Sequence, residues 1–180
     1  MQGRPNAPRS RRRIWLAAAA LLLAALPGAW ALEAPSGKVV LTISGPLRSP
    51  NDGKGQASFD MAMLAALPQH SFTTKTPWYQ GPRKFTGPLL RDVLAAAGVD
   101  TSQQGRKLEA RAINDYKVTI PLDDAQRHEV LLARLMDDRP MAVRDKGPLF
   151  IIYPFDKDEQ LRNTVYYGRS AWQLKALAVQ

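Results

Sequence analysis

The sequence predicts an α+β domain dominated by sheet, and three observations carry that prediction. Short β-branched and apolar runs recur along the chain, each bounded by clusters of Pro, Gly, Asn or Asp. Only two segments carry helical signals, and both are short. After the first 31 residues there is no internal repeat, low-complexity tract or long linker, so one core is expected.

Leu32 to Gly37 reads as a lead-in. Lys38 to Ser44 (KVVLTIS) is β-branched and partly alternating, a strand. Gly45 to Gly55 is rich in Pro, Asn, Asp and Gly and reads as a loop. A short helix starts at Phe59-Asp60, with Asp60 as N-cap, and runs to Leu67, where Pro68 stops it. Strands follow at Ser71–Thr76 and Arg83–Thr86. The clearest helix is Leu89 to Ala97. Its Leu89, Leu90, Val93, Leu94 and Ala97 form one apolar stripe, and Gly98 provides the stop. Further strands are expected at Lys107–Ile113, Tyr116–Pro121, Val130–Leu135, Leu149–Tyr153 and Ala171–Val179.

The N-terminus reads as a secretory signal. Five arginines and no acid occupy the first thirteen residues, an apolar run spans Ile14 to Leu26, and Pro27-Gly28 precede Ala29-Trp30-Ala31. A positive region, a short apolar region and an A-x-A site predict cleavage after Ala31 and a periplasmic domain of residues 32–180. A retained anchor is the bland alternative, and Ser10-Arg11-Arg12-Arg13-Ile14 leaves general and twin-arginine export both open. Taking the leader's five arginines from the chain's 25 Lys and Arg leaves 20 against 16 acids, a net charge of +4 in place of +9. That charge is spread out, so no nucleic-acid partner is expected.

The chain has no cysteine, which excludes thiolate metal ligation, thiol nucleophiles and iron–sulfur clusters. With His70 and His128 as the only histidines, a zinc or haem site is not expected either, and no metal is assigned. Four clusters remain as places for chemistry. Thr76-Pro77-Trp78-Tyr79-Gln80-Gly81-Pro82 holds two aromatics on a rigid loop, suited to a flat ligand, although Trp78 equally suits the core edge. Asn114-Asp115-Tyr116 reads as an Asx turn between strands. Arg144-Asp145-Lys146-Gly147-Pro148 is a charged loop whose Gly-Pro step would let backbone approach a ligand. Tyr166 to Trp172 contains Arg169, a candidate bidentate donor.

Phe85-Thr86-Gly87-Pro88-Leu89-Leu90-Arg91-Asp92-Val93-Leu94 resembles the F/W-T-G-x-x-L-x-D-V/L-L stretch of the sulfite oxidase-type (SUOX) molybdopterin-binding domain. Asp115-Tyr116 before Ile120-Pro121, Leu131-Leu132-Ala133 with Asp137 to Met141, Gly147-Pro148-Leu149 ending in Pro154, and Trp172-Gln173-Leu174-Lys175 match the same family in the same order. The resemblance runs from Lys38 to Val179. It implies a sulfite oxidase-type fold over residues 32–180 and a pterin ligand. In the family's enzymes a cysteine before this region binds molybdenum. Here Thr74 falls nearest that position, and a neutral hydroxyl is a poor substitute for a soft thiolate.

This short, cysteine-free version is similar to periplasmic pterin-binding proteins that work with membrane sensors controlling cyclic di-GMP. The resemblance implies stacking by Trp78 or Tyr79 and acceptance from the pterin amino edge by Asp115, beside Tyr116, or by Asp145. Donation by Arg144 or Arg169 completes the set. The leading reading is a non-catalytic receptor for a pterin, a reduced pterin ahead of molybdopterin, acting on the periplasmic domain of a membrane-bound diguanylate cyclase/phosphodiesterase. A molybdopterin-dependent oxidoreductase with an altered metal site and a purely structural interaction domain are the alternatives.

Overall fold

The computed structural model describes Gly3 and residues 32–103 and 105–180. The expected leader, residues 1–31, lies outside them apart from Gly3. Among the described residues no helix is long and apolar enough to cross a membrane.

Among the described residues seventeen short elements follow one another, and sheet predominates. Strands β1 (Val39–Ser44), β2 (Ala57–Asp60), β5 (Lys107–Ala112), β6 (Lys117–Pro121) and β11 (Leu174–Val179) form a five-stranded sheet in the order β2-β1-β11-β5-β6. The pair β1 and β11 is parallel and the others are antiparallel. Strands β3 (Gln69–Thr74), β4 (Arg83–Pro88), β8 (Leu135–Met136) and β9 (Arg139–Pro140) form a second sheet in that order. Strands β7 (Leu131–Ala133) and β10 (Phe150–Ile152) pair separately. The strand expected at Lys107–Ile113 is β5, with Leu108, Ala110 and Ala112 buried between more exposed neighbours.

Helix α1 (Met61–Ala66) starts where its cap predicts, with Asp60 accepting from Met63 N–H at 2.8 Å and also from Gly37 N–H at 2.7 Å. Those backbone donors hold the Asp60 carboxyl below the usual aspartate value. The folded value is lower than the unfolded one, so the stability it adds is present at neutral pH and is lost as pH falls through the folded value. Asp60→Ala is therefore expected to lower the thermal midpoint at neutral pH. The gap from wild type should narrow in acid, as pH falls through the lowered folded value. Circular-dichroism melts across that range check it.

Helix α2 (Leu90–Ala96) buries Leu90, Val93 and Leu94, the expected stripe. It lacks a side-chain cap; the N–H of Leu90 donates instead to the Val130 carbonyl at 2.8 Å. Gly98 sits at φ +73 against the backbone N–H groups of Arg48 and Ser49, where any Cβ would collide. Gly87 lies so close to the Leu132 carbonyl that a Cβ has no room, which lets β4 approach β7.

Four segments depart from the sequence reading. Ala57–Asp60, whose last two residues were expected to start the helix, is a strand with all four residues buried. Full burial erases the alternation by which a strand is recognised. Asp124–Arg127 forms a one-turn helix α3, and Thr164–Arg169 forms α4, capped by the Asn163 side chain on the N–H groups of Val165 and Tyr166. The expected Val130–Leu135 strand is two strands: β7 pairs with β10, while β8 turns into β9 through Asp137 and Asp138 at φ 51 and 62.

Candidate functional site

The core closes around Leu41, Ile43, Phe59, Phe85, Leu94, Phe150, Ile151 and Tyr153, all essentially inaccessible to solvent. Above Phe150 an aromatic cluster emerges. Trp78 makes edge contacts with Phe150 (5.7 Å between centroids), Phe155 (6.3 Å), Tyr167 (6.0 Å) and Trp172 (5.5 Å). Trp78 is half-buried, so its two expected roles coincide: it packs on the core and it lines a cleft.

That cleft has a volume of about 430 Å³, in the range of small-molecule sites. One wall is the turn leaving β5, with Ala112, Asn114 and Tyr116. The Asx turn is present as expected: Asn114 Oδ1 accepts from Tyr116 N–H at 3.2 Å, and Asp115 adopts φ 65. The opposite wall is Tyr167 and Gly168 of α4 and the following Ser170, Ala171 and Trp172. Tyr116 stands at the rim, 62% exposed.

Of the sequence-expected site residues, Trp78 and Tyr116 line this cleft. The others lie elsewhere. Tyr79 reaches across to the charged loop, its hydroxyl donating to the Asp145 carbonyl at 3.3 Å, and burial with the nearby Asp145 carboxylate raises its phenol pKa. Asp115 points outward and pairs with Lys175 at 2.8 Å, which lowers its pKa. Arg144 is solvent-exposed beside Asp145 at 3.6 Å, the solvated-loop arrangement. Asp145 itself borders a separate depression with Met136, Asp137, Arg139, Pro140 and Met141. Gly147 does not offer its backbone to the cleft; it is buried against the Met141 carbonyl.

Arg169 is committed inward. It donates to Asp124 Oδ2 at 2.9 Å, and the same oxygen accepts from Tyr153 Oη–H at 2.8 Å. Asp124 is fully buried, and a buried carboxylate needs such a cation. Arg169 thus anchors the end of α4 rather than addressing a ligand. His128 stands half-buried, edge-on to Tyr153 and Tyr166, and His70 is exposed.

The residues that the sequence reading did not assign are Asn114, Tyr167, Ser170 and Trp172. The available signal was the aromatic density of Tyr166 to Trp172. What concealed them was α4, which turns Tyr167 to the cleft and Tyr166 toward Tyr153.

Thr74 lies at the end of β3, fully buried. Its hydroxyl accepts from Asp156 N–H at 3.0 Å and donates to the Lys75 carbonyl at 3.4 Å. Asp156 in turn accepts from Lys75 N–H at 2.8 Å and from Arg162 at 3.0 Å. The hydroxyl ties the end of β3 to the Asp156 loop and is engaged as both donor and acceptor. This donor set does not suit a molybdenum ion, which family enzymes hold with a soft thiolate. A flat heterocycle does suit the aromatic cleft, where Asn114 and Ser170 supply amide and hydroxyl groups for its polar edge. Beside it, a second cleft of about 570 Å³ lined by Lys75, Thr76, Pro77, Asp156 and Arg162 shares Tyr167.

Comparison with known proteins gives two findings. A search of curated proteins returns no match. Among solved structures, the sulfane dehydrogenase SoxCD from Paracoccus pantotrophus is similar, with a TM-score of 0.55 at 16% identity. The match covers 77% of this chain and 37% of that chain, so this chain spans little more than a third of the SoxCD chain and shares its fold. Residues 63–155, half of the chain, match the family described as "Oxidoreductase molybdopterin binding domain". The fold is the expected sheet-rich molybdopterin-binding one, and the chain belongs to the oxidoreductase molybdopterin-binding domain family, which points to a pterin-type ligand.

Proposed function

We propose that this protein is a receptor for a reduced pterin and transfers no oxygen. The observation that carries the reading is Thr74: the residue that the family resemblance sets nearest the metal-binding cysteine is a buried hydroxyl already engaged by Asp156 N–H and the Lys75 carbonyl. The aromatic cleft under Trp78 and Trp172 supports it, since ring stacking and edge contacts suit a flat heterocycle.

The test uses protein purified from its own export compartment. It is expected to contain a pterin and no stoichiometric molybdenum; one molybdenum per chain in elemental analysis would overturn the reading. Trp78→Ala is expected to weaken binding of a reduced pterin by about 1–2 kcal/mol. It should destabilise the fold less than Leu94→Ala. Unfolding of the Trp78 variant would assign that ring to the core alone.

The reading extends to output. The leader is cleaved after Ala31, residues 32–180 act in the periplasm, and the partner is the periplasmic domain of a membrane-bound cyclic di-GMP enzyme. A ligand shifts such an equilibrium only through unequal affinity for the partner-bound and free states. The contact between Tyr79 and the Asp145 carbonyl supports a shared surface, because it joins loop 78–82, which carries a cleft residue, to loop 144–146. Titrating the partner domain with and without the pterin is expected to give different affinities. Equal affinities would remove the signalling mechanism while leaving pterin binding intact.

A further inference from the structure

The geometry points to Lys146 as the residue that sets the redox preference of the cleft: by polarising the Trp172 ring, it favours an electron-rich, reduced heterocycle over its oxidised form. The inference deepens the pterin reading above and rests on it.

Lys146 places its ammonium 4.0 Å from the centroid of the Trp172 ring and 5.9 Å from that of Tyr79. Trp172 lines the cleft, whereas Lys146 does not, so the cation reaches the ligand space through the indole it lies over. Among the described residues no carboxylate pairs with the ammonium. Burial lowers its pKa, in keeping with an amine partly withdrawn from water.

The backbone holds the side chain in place. Lys146 adopts φ 72 at the end of the Val143–Asp145 turn, and its carbonyl accepts from Gln173 N–H at 3.0 Å. Gln173 Nε2 donates in turn to the Val143 carbonyl at 2.7 Å. The loop that carries the cation and the strand entry that carries Trp172 are therefore fastened to each other on both sides.

A cation over an indole face draws π density toward itself. The opposite face becomes less electron-rich and the ring hydrogens more positive. A ligand ring meeting Trp172 by face or by edge gains most when it is itself electron-rich. A tetrahydropterin carries saturated ring nitrogens that donate into its pyrimidine ring. The fully oxidised pterin is electron-poor and gains less.

The probes are 6-methyltetrahydropterin, handled without oxygen, and 6-methylpterin, titrated by calorimetry against the full-length exported protein. Wild type is expected to prefer the reduced probe. Lys146→Met, which keeps length and removes charge, is expected to cut that preference by roughly threefold to tenfold. Lys146→Arg is expected to preserve most of it, which a mere loss of packing would not explain. An unchanged preference in Lys146→Met overturns the proposal, as does an equal fall in affinity for both probes. Binding of neither probe by wild type removes the pterin reading and this inference with it.

Discussion

Asp124→Ala is expected to destabilise the domain by about 3 kcal/mol, because it leaves a half-buried guanidinium without its counter-charge and a fully buried phenol without its acceptor. Asp124 is wholly inaccessible to solvent, and one of its oxygens serves both Arg169 at 2.9 Å and Tyr153 at 2.8 Å. Burial and the adjacent Asp124 carboxylate push the Tyr153 phenol far above its ordinary value, so it remains a donor throughout the accessible pH range. The cost belongs to broken pairing more than to the pair's net worth. Replacing both partners, Asp124→Leu with Arg169→Met, is thus expected to recover part of the loss. Urea denaturation of the two single variants and the double variant measures this. A deficit under about 1 kcal/mol for Asp124→Ala would place solvent beside Asp124 and withdraw the anchoring role of Arg169.

Phe150→Ala is expected to cost about 4 kcal/mol and also to abolish the cleft as a ligand site. The Phe150 ring is fully buried and meets Trp78 at 5.7 Å, Phe85 at 5.8 Å and Trp172 at 6.1 Å. It supports both tryptophans from beneath, and interiors at crystal-like density relax only in part around a lost ring. Leu94→Ala, in α2, serves as the control. It is expected to lose about 3 kcal/mol while leaving pterin affinity near wild type. Denaturation midpoints and quenching of tryptophan fluorescence by the pterin separate the two effects. Equal pterin affinity in folded Phe150→Ala would show that Trp78 and Trp172 hold their places without it.

Some strands legible in sequence, β1 and β5 among them, have one face buried and the other wet, whereas β10 is buried throughout and was legible from its apolar run. In β5, Leu108, Ala110 and Ala112 alternate with Lys107, Glu109 and Arg111, and a period of two is a local signal. The α2 stripe, the Asp60 cap and the Asn114 turn are local in the same way, each deciding its geometry within five residues. The family resemblance was legible too, because its motifs recur in a fixed order along the chain.

Local patterning thus carries the sheet-rich class, helix α2 and the family, and composition alone excludes any thiolate. Tertiary structure alone decided where the side chains spend their charges and hydroxyls. Arg169 finds Asp124 at a separation of 45 residues, and Thr74 finds Asp156 at 82. The cleft gathers Trp78, the turn after β5 and the Tyr167–Trp172 segment from three distant parts of the chain. No local propensity encodes such pairings. Their free energy depends on which loops the topology brings within a few ångströms, and a guanidinium or hydroxyl of the same local sequence binds ligand or protein according to which partner is nearer.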